Sequence, residues 1–254
     1  MSLILSEKRD GVLRIGFNRP EKKNAITGDM YRTLAGALQS ASSDPSVRVV
    51  LFHGRPDAFT AGNDLGDFLK FPMDEGSPVL AFLHALVDFD KPMVAAVAGL
   101  AVGIGTTVLL HCDLVYLAPN ARLSLPFINL GLTPEAASSY LLPRLAGYQR
   151  AAELLLLGEP FGAEQAREIG LANAIVEPDR LLDAALAAAT KLAQKPTAAL
   201  RLSRALLKQG TKAAVEQALS AEMRIFSERL RSPEAKEAMS AFFEKRKPDF
   251  SRFS

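Results

Sequence analysis

The chain has 254 residues, 48% apolar and 23% charged, which excludes a disordered or low-complexity protein because there is ample apolar surface to bury. One cysteine, Cys112, excludes a disulfide framework, and three scattered histidines with no CxxC argue against a metal site. The net charge of +2 leaves no footprint for nucleic acid.

In chain order, the N-terminal apolar patch spans only four residues before charges begin, too short for a signal-peptide core, so a cytoplasmic protein is expected. Residues 3–8 and 11–17 read as strands around the turn signal Arg9-Asp10-Gly11. Thr27 is a plausible N-cap for a helix over about 28–42, with Met30, Leu34, Ala37, Leu38 and Ala41 at helical spacing. A buried strand is expected over 47–54, a short helix at the end of 58–68 and a further helix over 75–89. Residues 93–112 carry no charge and are long enough to span a bilayer. Gly99, Gly103 and Gly105 interrupt them, however, and β-branched residues fill the first part. We read a buried strand, a turn and a buried helix, with no membrane partner, followed by a strand in DLVYLA.

From Thr133 onward nearly everything reads as helix: about 134–146, 148–157, 163–169, 179–194, 197–208, 212–230 and 233–246, with one short extended piece at 173–177. The expected fold class is therefore α/β, with a mainly parallel sheet. Residues 1–195 form the α/β core, and residues 196–254 form a helical region whose apolar stripes, among them Leu202, Leu206, Leu207 and Leu219, Met223, Phe226, need cover from the core or a second subunit. That region carries 12 Lys/Arg against 7 Asp/Glu, the remainder 18 against 21. The basic excess is either a solvated helical face or an aid to holding a phosphate-bearing ligand.

Three segments bear on chemistry. In AFTAGNDLGDF (58–68), a glycine-containing turn leads into a short helix that Asp64 is placed to cap. Backbone N–H groups at such a turn can face an anion, or the segment is an ordinary connection. AGLAVGIGTTVLL (98–110) lacks the spacing of a dinucleotide fingerprint and the Gly-Lys-Ser/Thr of a Walker loop. What remains is a glycine-rich entry to an uncharged helix, with the Ile104 N–H near its positive end or with glycines serving close packing. In LPFINLGLTPEAASSYLLP (125–143), Thr133, Pro134 and Glu135 match N-cap, N1 and N2, which makes Glu135 a helix-dipole partner. No nucleophile triad is visible.

Together and in this order, these segments resemble the enoyl-CoA hydratase/isomerase (crotonase) family over about residues 3–250. The resemblance implies a crotonase-like core of the ββα-superhelix type with C-terminal helices that pack across subunits, giving a homotrimer or a dimer of trimers. It implies that the loop FNRPEKKNAIT (17–27), with Lys22, Lys23 and Ala25, lines an acyl-CoA site together with Ala61, Gly62, Asp64, Leu65 and Gly103. The N–H groups of Asn63 and Ile104 then form an oxyanion hole for the thioester oxygen, and Phe243 and Lys247 reach a neighbouring subunit's CoA. No cofactor is implied, coenzyme A entering as part of the substrate.

The chain departs from the hydratase pattern at both of that subgroup's glutamate positions. Thr107 follows the glycine-rich turn and Phe127 follows Pro126. Stretches AGNDL, DFDKP, AVGIG and TPEAASSY instead resemble peroxisomal-type Δ3,Δ2-enoyl-CoA isomerases, in which the single base maps to Glu135. A 1,3-proton shift needs one base, and an apolar wall of the Phe127, Leu130, Leu132 type would raise its pKa while a helix N-terminus would lower it. The expected activity is isomerisation of a 3-enoyl-CoA. Hydration, dienoyl isomerisation or thioester hydrolysis would need a second acid, the nearest in sequence being Asp67, Asp74 and Glu75. A non-catalytic acyl-CoA-binding relative is the third alternative.

Overall fold

The computed structural model describes residues 2–68 and 76–253; the candidate acids Asp74 and Glu75 lie outside the described residues. The strands, in chain order, are β1 (Ile4–Arg9), β2 (Val12–Phe17), β3 (Val49–His53), β4 (Ala58–Thr60), β5 (Met93–Val97), β6 (Leu100–Val102), β7 (Leu114–Leu117), β8 (Arg122–Ser124), β9 (Phe161–Gly162) and β10 (Ala174–Ile175). The helices of the first half are α1 (Gly28–Ser43), α2 (Leu65–Phe68), α3 (Pro78–Asp88) and α4 (Ile104–Thr107), the last continuing as a 3-10 turn over Val108–His111. Those of the second half are α5 (Ser138–Ala146), α6 (Tyr148–Ala152), α7 (Ala163–Glu168), α8 (Pro178–Ala193), α9 (Thr197–Gln209), α10 (Lys212–Leu230) and α11 (Pro233–Phe243).

Asp10 and Gly11 both take positive φ, so the two-residue turn is of the primed kind and β1 pairs with β2 from Arg9↔Val12 outward. Beyond this hairpin the first sheet runs β1-β2-β3-β5-β7-β10, parallel from β2 onward. A second sheet, β4-β6-β8-β9, is a layer the sequence reading did not foresee. Its strands are two or three residues long, too short to show a period of two. The stretch after β5 is therefore strand, not simply turn.

Thr27 caps α1 as expected, its side chain accepting from the Met30 N–H at 3.3 Å. The main core lies between the sheets and the helices around them, and it extends to Val215, Leu219, Met223 and Phe226 of α10. The outer face of the first sheet is closed by α8, where Leu181, Ala185, Ala189 and Ala193 at intervals of four meet Val12, Val49, Leu51, Val94 and Ala96.

Of the two kinds of cover expected for the C-terminal stripes, Leu219, Met223 and Phe226 find theirs on the chain's own core, whereas Leu202, Leu206 and Leu207 of α9 are 65%, 70% and 84% exposed. One expectation is corrected: α5 begins at Ser138, not at residue 134, because Ala136 and Ala137 adopt left-handed φ values of 57°, outside the right-handed region that a helix running through them would need. Thr133, Pro134 and Glu135 are therefore not N-cap, N1 and N2 of that helix, and the Thr133 hydroxyl is buried without a hydrogen-bond partner among the described residues. Among the described residues no helix is long and apolar enough to cross a membrane.

Candidate active site

Strands β4 and β6 are parallel neighbours, with Ala58 opposite Leu100 and Thr60 opposite Ala101. The turns that leave their C-terminal ends, Gly62-Asn63 and Gly103-Ile104, consequently lie side by side. Gly62 has φ +84°, and a Cβ there would fall 2.7 Å from the Val102 carbonyl oxygen. Only glycine permits that approach. Ile26 flanks Asn63 in a parallel bridge, donating to the Gly62 carbonyl at 2.8 Å and accepting from the Asp64 N–H at 3.0 Å. In this pairing the N–H of Asn63 itself turns away from Ile26. Ile104 is the first residue of α4, so its N–H has no acceptor within the helix. Two neighbouring backbone donors are thus left without protein acceptors among the described residues.

The loop ahead of α1 is tied onto the β4 segment. Buried Asn24 donates through Nδ2 to the Ala58 and Phe59 carbonyls at 2.9 and 3.1 Å, and the Thr60 hydroxyl donates to the Asn24 carbonyl at 2.7 Å. Arg19 donates to the Ala25 carbonyl at 2.9 Å and to Asp64 Oδ2 at 2.7 Å. Asp64 also accepts from the Asp67 N–H at 3.1 Å, the capping role expected of it. Lys22 and Lys23 are exposed on this loop, Lys23 paired with Asp57 at 2.6 Å and its carbonyl accepting from the Ala61 N–H. Leu65 opens α2 half-buried. The loop 17–27 and residues 61–65 are therefore one surface around the two donors.

Glu135 is 5% exposed, and its Oε1 accepts a hydrogen bond from the Thr107 hydroxyl at 2.5 Å. Thr107 stands one turn after Ile104 in α4, so a single helical turn links one backbone donor to the carboxyl group. Burial pushes the Glu135 pKa up to about 8; the Thr107 hydrogen bond opposes the rise and the charge of Glu222 adds to it. Phe127 and Leu132 are buried and Leu130 half-buried in the preceding segment, and the Phe127 ring edge lies 3.8 Å from where a Gly103 Cβ would stand.

The helix terminus expected to lower this pKa has another partner. Glu222 of α10 accepts from the Ala137 N–H at 2.6 Å and from the Ser139 N–H at 2.8 Å, at the start of α5. On the other side, His111 Nε2 lies 2.8 Å from the Ala136 carbonyl oxygen. Burial lowers the His111 pKa to about 4, so the ring is neutral and donates there. Tyr31, buried on α1, donates its hydroxyl to Asn63 Oδ1 at 2.5 Å; burial and the charge of Glu135 hold its own pKa well above the usual phenol range.

Glu135, Asn63, Ile104 and Gly103 are thus brought together, with Ala25, Ala61, Gly62, Asp64 and Leu65 around them. Phe243, at the end of α11, is 54% exposed against Phe242, and Lys247 is exposed beyond it. Asp67 accepts from the Gly28 N–H at 2.7 Å, at the start of α1. Arg19, Asn24, Tyr31 and Glu222 were not singled out from sequence. Tyr31 reads as core at its helical position, and only its hydroxyl, which needs a partner when buried, hints otherwise. A cavity of about 560 Å³ lies elsewhere, against α9 and His111, at the far end of the helical turn from Ile104.

The model of the enoyl-CoA hydratase/isomerase family matches residues 7–252. The chain is 34% identical over 255 residues to the 2,3-dehydroadipyl-CoA hydratase of Escherichia coli (strain K12), covering 98% of this chain and 99% of that protein. It is 37% identical over 216 residues to the enoyl-CoA delta isomerase 2 of Rattus norvegicus, covering 82% of this chain and 55% of that protein. Among solved structures it is similar to Pseudomonas aeruginosa OdaA, with a TM-score of 0.93 and 49% identity over 95% of this chain and 99% of that one.

Proposed function

Because this chain belongs to the enoyl-CoA hydratase/isomerase family, whose crotonase-like members act on acyl-CoA thioesters, we propose that it is a Δ3,Δ2-enoyl-CoA isomerase with Glu135 as its single base. The observation that carries the proposal is the buried Glu135 carboxyl group, linked by Thr107 to the helical turn that begins at the Ile104 donor, with a pKa raised to about 8 by burial. The thioester oxygen accepts from the N–H groups of Asn63 and Ile104. Glu135 takes a proton from C2, the electron pair moves into a dienolate stabilised at that oxygen, and the same proton returns at C4. The double bond passes from C3–C4 to C2–C3 with no change in composition and no cofactor. A base whose pKa lies near working pH both accepts and releases the proton readily.

Lys22, Lys23, Ala25, Ala61, Gly62, Asp64, Leu65 and Gly103 form the proposed surface for the CoA thioester. Residues 196–254 are proposed to assemble the chain into a homotrimer or a dimer of trimers, supported by the exposed Leu202, Leu206 and Leu207, with Phe243 and Lys247 meeting a neighbour's CoA. Hydration is the second reading, favoured by the hydratase relatives. It requires a second acid, and the two positions where hydratases carry glutamate hold Thr107, which is bonded to Glu135, and buried Phe127.

Incubation with 3-hexenoyl-CoA, followed by chromatography, tests both. The wild type is expected to form 2-hexenoyl-CoA and almost no 3-hydroxy product, with a rate that climbs with pH toward a plateau above the Glu135 pKa. Glu135→Gln removes the base while keeping size and polarity, and is expected to slow isomerisation by at least about 10²-fold with binding little changed. Near-normal turnover in that variant would remove Glu135 as the base; strong hydration by the wild type would replace the reaction class.

A further inference from the structure

Glu222 stands on α10, one helical turn from Leu219 and beside Met223, on the face that α10 buries. A carboxylate among such side chains is costly unless it is paired or hydrogen-bonded. Its two oxygens each accept one backbone N–H, Oε2 from Ala137 and Oε1 from Ser139, across more than eighty residues of chain. Burial holds the Glu222 pKa above the usual carboxylate value, and the hydrogen bonds from Ser139 and the Ala137 N–H oppose that rise; because both oxygens accept and neither needs to donate, the geometry suits the ionised form.

We propose that Glu222 is a positioning residue for Glu135: as an ionised carboxylate it takes over the N-terminus of α5 and holds the Glu135–Ala137 segment, so that Glu135 serves as the group that gains and loses the proton. The proposal rests on Glu135 being the base.

Three observations carry it. The segment is clamped from two sides, by Glu222 on the Ala137 N–H and by His111 on the Ala136 carbonyl. Both alanines sit in the left-handed region, which non-glycine residues occupy only when their surroundings impose it. And the two buried carboxyl groups share one region with unequal support. Glu222 has two N–H donors at the positive end of a helix, Glu135 one hydroxyl. Like charges in one site ionise in sequence, and the better-supported group ionises first. Burial and the charge of Glu222 then both favour the protonated form of Glu135.

The other charged groups near α10 are engaged elsewhere. Arg144 of α5 lies over the Tyr140 ring, Arg229 pairs with Glu234 of α11, and Arg224 pairs with Glu228 at the surface. His111 is neutral, and Tyr31 interacts with Glu135.

The test compares wild type, Glu222→Gln and Glu222→Asp in the full chain, by the pH dependence of kcat/KM on 3-hexenoyl-CoA, by thermal unfolding, and by carboxyl ¹³C NMR titration of Glu135. Glu222→Gln keeps the size and one acceptor but loses the charge. Its acid limb and the Glu135 titration are expected to move together to lower pH by about 0.5–1 pH unit, with the plateau rate down about 3–10-fold as the base weakens. Glu222→Asp, which keeps the charge, is expected to leave the Glu135 titration near its wild-type position. A Glu222→Gln protein that is merely less stable, with the Glu135 titration unmoved, overturns the proposal. Should Glu222→Gln not fold, the wild-type titration decides: two separated carboxyl steps, Glu222 the more acidic, support it, and coincident steps at ordinary carboxylate pH overturn it. Loss of Glu135 as the base is seen separately, as activity surviving in Glu135→Gln while its carboxyl titration in wild type still answers to Glu222.

Discussion

The two halves of the candidate site are held in different ways. Residues 58–64 and 98–105 work through backbone. Parallel pairing of β4 with β6 sets their spacing, Gly62 lets one turn touch the Val102 carbonyl, and the Ile26 bridge fixes the direction of the Asn63 N–H. Residues 131–139 work through a side chain and its surroundings. Glu135 receives a hydroxyl from α4, its following carbonyl a histidine, and the next N–H groups a carboxylate from α10. A backbone device is insensitive to most side chains and fragile toward any added Cβ; an environmental device is the reverse.

The largest expected effect attacks the backbone half. Gly62→Val places a branched side chain at φ +84° and against an oxygen 2.7 Å from its Cβ. The two turns must separate, and the Asn63 N–H with them. Losing one oxyanion donor costs about 10²–10³ in kcat, and a loss of that order is expected in the isomerase assay from a protein that remains folded by circular dichroism. A loss under tenfold would show that the spacing of the two donors is not what the glycine protects.

A smaller effect separates the halves by pH. Thr107→Val removes the hydroxyl that partly counters the rise in the Glu135 pKa. The folded-state pKa therefore climbs further and the acid limb of the rate profile moves to higher pH. The rate at neutral pH then falls about tenfold for every pH unit that the limb moves. Well above the new pKa the rate is expected to return toward wild type. A uniform loss at every pH would instead mean that Thr107 orients Glu135 without tuning it.

The same contrast governs what was legible in the sequence. The glycine pattern of 98–105 and the turn at Gly62-Asn63 announce themselves because backbone geometry restricts residue type. The αβ alternation, the β1–β2 hairpin and the capping roles of Thr27 and Asp64 were readable for that reason as well. The second sheet was not, since three-residue strands have no periodicity to read. Thr133-Pro134-Glu135 carries every local sign of a helix start, yet the helix begins at Ser138 after two left-handed alanines. The carboxylate that caps it comes from residue 222, and local sequence holds no trace of that pairing. One weak signal existed: an acidic residue within the apolar stripe Leu219, Met223, Phe226.

The smallest expected effect probes where the halves meet. Asn63 reads as a pure backbone donor, whose side chain should not matter, but its Oδ1 accepts the hydroxyl of buried Tyr31, itself within reach of the Glu135 charge. Asn63→Ala leaves that hydroxyl unpaired, a cost to stability of about 1–3 kcal/mol for a buried donor. The Asn63 N–H, however, stays fixed by Ile26 from both sides, through the Gly62 carbonyl and the Asp64 N–H. Turnover is therefore expected to fall only about threefold, well under about 1.4 kcal/mol of barrier. Adding Tyr31→Phe removes the stranded donor, so much of the lost stability should return in the double variant, while activity stays near that of Asn63→Ala. If Asn63→Ala alone were as slow as Gly62→Val, the side chain and not the strand pairing would be what aims the donor, and the division between a backbone half and a side-chain half would fail at this residue.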